Sequence, residues 1–328
     1  MTRRNLLAVA MSLNDAQRRA LDETLAGAGE VAMLPDLDDS ARAQALREAS
    51  VLLIHHTGKE LKPAELPLLS GLKLMQFISA GIDFVPLGDV PGDVPIAVNA
   101  GAYADSMAEH ALAMTLAAAK RLLVEHQKLK QGEFNQFVRN RRLAGMTAGI
   151  LGFGGIGVAT ARLFKALGLP VHAINRRGAS DAPVDWIGTP DQLDKLLHVS
   201  DVLVITASLT KRTLGMIGKR ELELMKPDAI LVNLARGEIV DEGALYQHLR
   251  AHPKFTACID AWWIEPVRHG VFRMDHPFLD LPNVIGSPHN SAQAGLPAVG
   301  IRNAAANCRR ALLGEPPLYL IGDDERMM

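Results

Sequence analysis

Short apolar runs alternate with helical patterns through the first hundred residues of the chain. A helical pattern covers residues 39–48, for example, between two such runs. The runs that we interpret as β-strands are residues 6–10, 31–34, 51–54, 74–77 and 96–98. Strands that alternate with helices in this way predict a parallel sheet with helices on both faces.

A longer helical pattern begins near Asp105. Its alanine-rich stripe keeps a 3.6-residue period, and Ser106 with Glu109 predicts a capping box at the first turn. The stripe suits either a contact between subunits or a helix that faces the core.

A second alternating series begins at residue 147 and is followed by a last helical pattern over residues 293–312. Its apolar runs are residues 147–151, 171–174, 202–205, 230–233, 257–260 and 284–286. Their number and spacing predict a six-stranded, doubly wound sheet. With 328 residues, the chain is long enough for two domains, each with its own core.

A glycine-rich turn joins the first strand of this second series to a helical pattern over residues 158–167. Its members are Gly152, Phe153, Gly154, Gly155, Ile156 and Gly157. Gly152 permits a sharp turn, Gly154 lets the backbone approach a diphosphate, and Gly157 lets the helix pack on the strand. The helix N-terminus adds free N–H groups and a positive dipole end. The order strand, turn, helix therefore predicts a dinucleotide site.

Bulk composition excludes several other classes of protein. A formal net charge of −1 provides no general attraction for nucleic acid or an acidic membrane surface. No segment is long and apolar enough to span a bilayer. Cys258 and Cys308 are the only cysteines, so the default expectation is a reducing, cytoplasmic setting without a disulfide framework. The histidine and acidic residues show no zinc-ligand spacing, so we expect no metal.

Three polar residues follow predicted strands of the second series: Arg236, Glu265 and His289. Ligands of open parallel sheets bind beyond the carboxyl ends of the strands, so we expect these side chains to converge. A guanidinium can hold a carboxylate by two parallel hydrogen bonds, and an imidazole can exchange a proton with a carbonyl oxygen. A carboxylate on the other ring nitrogen would fix the tautomer and favour the charged imidazole.

The sequence resembles the D-isomer-specific 2-hydroxyacid dehydrogenases, a family that includes glyoxylate/hydroxypyruvate reductases and phosphoglycerate dehydrogenase. The most specific stretches are GILGFGGIG at 149–157, LVNLARGEIVDEGAL at 231–245, DAWWIEP at 260–266 and SPH at 287–289. The resemblance implies hydride transfer between NAD(P)H and a small 2-oxo acid, giving the D-2-hydroxy acid. It also implies an α/β fold, with a Rossmann-type doubly wound domain at 101–289 and a flavodoxin-like, discontinuous substrate domain at 1–100 and 290–328.

The same resemblance assigns roles to individual positions. Arg236, Glu265 and His289 match the catalytic residues, and Asp260 matches the acid that binds the nicotinamide carboxamide. Residues in the positions that line the nicotinamide and ribose are Ala207, Thr213, Leu234, Ala235 and Arg236. Residues expected to hold the substrate, together with Arg236 and His289, are Ser79, Ala80, Gly81, Ile82 and His56. For residues 79–82 a plain strand-to-helix turn is the alternative, and for His56 a hydrogen-bonded loop role.

One departure from the family pattern concerns the cofactor. Many NAD-dependent members carry an acid after the second strand of the cofactor domain, whereas this chain reads Asn175, Arg176, Arg177. A carboxylate there would repel a 2′-phosphate and arginines would bind it, so we expect NADP(H) to be preferred over NAD(H). The alternative is that both arginines are solvated loop charges.

Other departures lie beside the expected active site. Trp262-Trp263 replaces the more usual Val-Phe, and Asn290-Ser291 replaces Ile-Gly. These changes would alter the size and polarity of the pocket, although core packing is the simpler role for Trp263.

Phe134 and Phe137, after the long helix, suit either a homodimer contact or core packing. We expect no nucleic-acid or membrane partner. Alternatives on the same scaffold are a nucleotide-binding corepressor and a phosphite or formate dehydrogenase. Formate oxidation in the related group uses a glutamine where Glu265 stands here.

Overall fold

The computed structural model describes residues 3–293 and 298–322. They divide into two compact units, one within Met1–Tyr103 and Gly295–Met328, the other within Ala104–Ala294. The strands are β1 Arg4–Val9, β2 Glu30–Met33, β3 Ala49–Ile54, β4 Leu74–Phe77, β5 Ile96–Ala97, β6 Ala148–Leu151, β7 Val171–Ile174, β8 Trp186–Gly188, β9 Val202–Ile205, β10 Ile230–Asn233, β11 Thr256–Ile259 and β12 Val284–Gly286. The α-helices are α1 Asp15–Leu25, α2 Asp39–Glu48, α3 Thr57–Glu60, α4 Ala104–Ala119, α5 Leu122–Lys130, α6 Gly155–Ala166, α7 Leu193–Val199, α8 Lys219–Leu224, α9 Glu242–Ala251, α10 Pro266–His269 and α11 Val299–Leu312.

The first unit contains a parallel sheet in the order β2-β1-β3-β4-β5. This is the flavodoxin-like strand order, as the fold prediction requires. Every residue of β3 is buried, as expected for a central strand covered by helices on both faces. Among the described residues, Leu320 also forms an isolated antiparallel bridge with Ala97, at the edge strand β5.

Local signals in the sequence define the helices of this unit. The Asn14 side chain accepts a hydrogen bond from the Gln17 backbone and completes a capping box at the start of α1. The Asp38 side chain caps α2 by accepting a hydrogen bond from the Ala41 N–H, and α2 covers the predicted residues 39–48. The predicted helix at 293–312 is shorter: α11 begins at Val299, and residues 294–297 lie outside the described part of the chain.

The second unit contains a parallel sheet in the order β12-β11-β10-β9-β6-β7-β8. The predicted count of six strands is wrong, because β8 makes a seventh. Only three residues long, β8 pairs with β7 at the sheet edge and presents no apolar run that a sequence pattern could detect. The chain order reverses between β6 and β9, which are neighbours in the sheet. In doubly wound sheets this reversal opens a crevice beyond the carboxyl ends of the strands.

Helix α4 packs on α6 within the second unit. Ala104 and Ala108 form a small apolar cluster with Ala159, so this part of the alanine stripe faces the core. The predicted capping box is wrong: α4 begins at Ala104, which places Ser106 inside the first turn. Its hydroxyl instead donates to the Ser291 carbonyl over 2.6 Å. Within the described residues, no helix combines the length and the apolar character that a membrane crossing requires.

Candidate active site

The glycine turn leaves β6 in a conformation that only glycine adopts easily. Gly152 has φ +101°, and a Cβ there would collide with the backbone of Ala207. A Cβ on Gly157 would collide with the Gly152 carbonyl oxygen, whereas one on Gly154 would point into open space. Gly154 is the N-cap of α6 and provides no capping side chain, so the first N–H groups of α6 stay available. These residues fit a nucleotide diphosphate.

The neighbouring strand end supports this turn. Thr206, just after β9, donates its hydroxyl to the Gly152 carbonyl over 2.6 Å. The N–H groups of Gly152 and Phe153 both donate to the Ile174 carbonyl at the end of β7. Thr206 was not among the predicted site residues, because a threonine after a strand carries no distinctive sequence signal.

The segment that follows β7 forms a turn. Asn175 donates its side-chain amide to the Ala179 carbonyl over 2.9 Å and accepts a hydrogen bond from the Arg177 N–H over 3.0 Å. Arg176 and Arg177 are both exposed. Since β7 is the neighbour of β6, these two cationic side chains extend from the strand end next to the glycine turn.

The residues expected along the nicotinamide and ribose are buried to different degrees. Thr213 donates its hydroxyl to the Ser208 carbonyl over 2.8 Å and accepts from the Thr210 N–H, so its polar group is engaged in a local turn. Leu234 is fully buried, and Ala235 retains 9% of its surface. Ala207 is partly buried and packs against the core beside β9.

Glu265 and His289 form a hydrogen-bonded pair at the strand ends. His289 Nδ1 lies 2.9 Å from Glu265 Oε1 and 2.8 Å from Oε2. Burial raises the pKa of the Glu265 carboxyl, but the His289 hydrogen bond and charge, the Trp262 N–H and the Arg236 charge together outweigh it and lower that pKa. The carboxylate is thus held ionised against Nδ1, and Nε2 is the nitrogen that can exchange a proton with a substrate.

The loop that carries Arg236 lies close to the loop that carries Glu265, because Gly237 packs against the backbone of Trp262. A Cβ on Gly237 would lie 2.5 Å from the backbone carbon of Trp262, so glycine is needed where the two loops meet. The Arg236 carbonyl accepts from the Asn233 side chain over 2.8 Å, and its Nη1 donates to the Ala235 carbonyl over 2.7 Å. The structure therefore brings all three predicted catalytic side chains to one end of the sheet.

Asp260 also lies at this end of the sheet, and it is fully buried. Its carboxylate accepts hydrogen bonds from the loop that carries His289.

The two tryptophans that follow Asp260 in the sequence, Trp262 and Trp263, have separate roles. Trp263 stacks on Phe278 with ring centroids 5.2 Å apart, in agreement with the expected core packing. Trp262 donates its indole N–H to the Ser287 carbonyl over 2.8 Å.

The predicted substrate residues of the first unit follow two neighbouring strands. His56 comes after β3, and residues 79–82 come after β4. His56 Nδ1 and Ser79 Oγ are buried and have no hydrogen-bond partner among the described residues. Burial lowers the pKa of His56, and the charges of Lys59 and His55 lower it further, which favours the neutral ring. No three His, Cys, Asp or Glu side chains of the described chain gather as a metal site.

Comparison with known proteins identifies the family. A family model for the "D-isomer specific 2-hydroxyacid dehydrogenase, NAD binding domain" matches residues 112–291. The chain belongs to the D-isomer-specific 2-hydroxyacid dehydrogenase family.

Some relatives are longer than this chain. D-3-phosphoglycerate dehydrogenase from Archaeoglobus fulgidus is 35% identical over 227 residues, which are 67% of this chain and 41% of that protein. Glyoxylate reductase from Thermococcus gammatolerans is 34% identical over 229 residues, 67% of each chain. Thus the chain spans about half the length of some curated relatives that it matches. Among solved structures, a candidate formate dehydrogenase from Pyrobaculum aerophilum is similar with a TM-score of 0.78 and 26% identity, covering 98% of this chain and 99% of that one.

Proposed function

We propose that this chain reduces a small 2-oxo acid, of the glyoxylate or hydroxypyruvate kind, to the D-2-hydroxy acid with NADPH. The observation that carries the proposal is the Glu265–His289 pair, in which Oε2 and Nδ1 lie 2.8 Å apart. This pair and Arg236 follow strands of the same parallel sheet whose strand β6 leads into the glycine turn. We assign cofactor binding to the second unit and substrate binding to the first, where His56 and residues 79–82 are the proposed substrate contacts.

Each side chain has a defined task in this reaction. A bound nicotinamide cofactor supplies the hydride that reaches the carbonyl carbon of the substrate. Arg236 holds the substrate carboxylate by paired hydrogen bonds and so orients the carbonyl. His289 gives the proton on Nε2 to the carbonyl oxygen, which becomes the hydroxyl. Glu265 keeps the other proton on Nδ1 and stabilises the imidazolium before transfer; the neutral ring then regains a proton from solvent.

The activity is tested with a panel of 2-oxo acids, following the absorbance of NADPH. The wild-type protein should turn over at least one of them, and His289→Ala should lose most turnover while its affinity for NADPH, measured by fluorescence titration, is kept. Arg236→Ala should raise KM and lower kcat together. Full activity of the His289→Ala variant would refute the assigned proton donor. Binding of NADPH without turnover of any panel member by the wild-type protein would favour the corepressor-like alternative.

The preference for NADP(H) rests on the two exposed arginines after β7. They would bind a ribose 2′-phosphate by charge-assisted hydrogen bonds. We expect kcat/KM to be higher with NADPH than with NADH, and the double substitution Arg176→Ala/Arg177→Ala to remove the difference. Arg19→Ala, at an exposed position on α1, is the matched control. A tenfold preference of the wild-type protein for NADH, or an unchanged cofactor ratio in the double variant, would count against this assignment.

A second copy of the chain is the proposed partner. Every residue of α5 is at least partly exposed, and the segment beyond it carries Phe134 and Phe137 with 79% and 84% of their surfaces accessible. Burial of this apolar surface against a second copy would stabilise a homodimer. Light scattering should give twice the chain mass, and Phe134→Ser/Phe137→Ser should give the monomer mass.

Cys258 and Cys308 are buried and free, which fits the proposed reducing, cytoplasmic setting.

A further inference from the structure

The loop 287–291, which carries His289, is held on both sides of that residue. At one end the Ser287 carbonyl accepts the Trp262 indole N–H over 2.8 Å. At the other end the Ser291 carbonyl accepts the Ser106 hydroxyl over 2.6 Å. Between them His289 has φ +50°, a left-handed conformation that is uncommon for non-glycine residues.

The buried carboxylate of Asp260 lies at the centre of these contacts. Its Oδ1 accepts the Ser287 hydroxyl over 2.5 Å and the Asn290 N–H over 3.2 Å. Its Oδ2 accepts the Ser291 N–H over 3.3 Å. A single side chain therefore binds residues on both sides of the left-handed histidine, and Asp260 has no exposed surface of its own.

His110 extends this arrangement to helix α4. Its Nε2 lies 3.0 Å from Ser287 Oγ and 3.7 Å from Asp260 Oδ1. Because Ser287 gives its only hydroxyl proton to Asp260, its oxygen must act as acceptor toward the ring, so His110 Nε2 carries a proton. The chain of donors thus runs in one direction, from imidazole to hydroxyl to carboxylate, and bonds in such a chain strengthen one another. Ser106 and His110 are four residues apart and share one face of α4.

We infer that His110, Ser287 and Asp260 form a positioning network that fixes the backbone of His289 in its left-handed conformation and so places the imidazole for proton transfer. The inference rests on the proposed function, since it concerns the same proton donor. His110 and Ser287 act through the loop and are positioning residues. In this network Asp260 holds the histidine loop, in addition to its expected contact with the cofactor carboxamide.

A network that positions the proton donor affects turnover more than binding. If the network is weakened, the 287–291 loop samples conformations in which the His289–Glu265 geometry is lost, and only the competent fraction transfers a proton. The glycine turn and the α6 N-terminus, where the diphosphate would bind, are formed by other residues. The expected signature is therefore a lower kcat with little change in the dissociation constant of NADPH.

The test compares Ser287→Ala, His110→Leu and His110→Gln with the wild-type protein. Ser287→Ala should lower kcat by about 10- to 100-fold, the range for loss of a hydrogen bond to a charged group. His110→Leu should lower kcat about tenfold, and His110→Gln, which keeps an N–H donor, should restore most of that loss. The dissociation constant of NADPH should stay within about twofold in all three variants. His198→Leu, at an exposed site on α7, is the matched control.

Two further measurements separate positioning from a merely structural effect. The double variant His110→Leu/Ser287→Ala should lose no more kcat than its worse single variant, because both changes break one network. Hydrogen exchange of the peptide over residues 287–293 should accelerate in Ser287→Ala, with protection of the central strands unchanged.

The outcomes distinguish this inference from the proposed function. If His289→Ala abolishes turnover but Ser287→Ala and His110→Leu match the wild-type kcat, the positioning network is refuted and the proton donor stands. The network is also refuted if His110→Gln is as impaired as His110→Leu, or if NADPH affinity falls in parallel with kcat. If His289→Ala retains full turnover, the proposed function itself fails.

Discussion

Replacing Glu265 by glutamine tests the central pair of the active site. The substitution keeps the shape of the side chain but removes its charge. Only 12% of the Glu265 side chain is accessible, so solvent cannot replace the lost carboxylate efficiently. His289 Nδ1 would then face a neutral amide across 2.8 Å, and the imidazolium would lose its counter-charge.

The size of the effect follows from the geometry. Both carboxylate oxygens lie within 2.9 Å of Nδ1, which makes this a charge-assisted hydrogen bond. Such a bond contributes about 1.5–3 kcal/mol, which corresponds to a loss of about 10- to 100-fold in kcat for reduction. Since Glu265 supplies the negative charge beside the ring that donates the proton, reduction by the variant should fall off at a lower pH than reduction by the wild-type protein.

The assay is steady-state reduction of the best 2-oxo acid across a pH series that includes about pH 5 to 8, the range in which an ordinary histidine changes its charge. Glu221→Gln is the control, because Glu221 is also a largely buried carboxylate, with 19% of its side chain accessible, paired with Arg220 on α8. The control should keep the wild-type profile. An unshifted profile with unchanged kcat in Glu265→Gln would refute the reasoning that this carboxylate stabilises the proton donor.

Further predictions concern the glycine turn and the core. Gly157→Ala should lower the free energy of unfolding by about 1–3 kcal/mol, because its Cβ would meet the Gly152 carbonyl; a urea titration that shows no loss would contradict this. Gly154→Ala should leave stability nearly unchanged but weaken NADPH binding, since its Cβ would enter the open space of the turn; equal affinity by calorimetry would refute the assigned diphosphate site. Burial lowers the pKa of His248 to about 4, with a smaller contribution from His252. The unfolded state therefore takes up this proton first, so the free energy of unfolding should fall by up to about 3 kcal/mol as the pH drops from 6.5 toward 4. His248→Gln should reduce that slope in urea titrations, and an identical slope would show that other groups cause it.

Much of the fold could be predicted because local sequence patterns indicate most of its strands and helices. The central strands are apolar runs of four to six residues, and β4, β7, β9 and β10 coincide with the predicted runs. Burial on both faces forces such a continuous apolar pattern. The edge strand β8 was missed for the complementary reason: a three-residue edge strand is defined by its pairing with β7, which is a long-range contact.

The candidate site also contains residues that the sequence indicated and contacts that it did not. Motifs could indicate Arg236, Glu265 and His289, because each follows a recognisable strand and carries a distinctive functional group. No motif indicated that His110 and Ser287, 177 positions apart, are hydrogen-bonded. The same holds for the burial of Asp260 beneath the histidine loop.

By itself, the sequence determined where strands and helices form, that a glycine turn joins β6 to α6, and which side chains could exchange a proton or hold a carboxylate. These properties depend on residue type and on spacing along the chain. Tertiary structure alone decided that the Glu265 carboxylate faces His289 Nδ1, that Asp260 is buried, and how His289 is kept in a left-handed conformation. Those properties depend on the packing of α4 and β12 against β11, which distance along the chain does not encode.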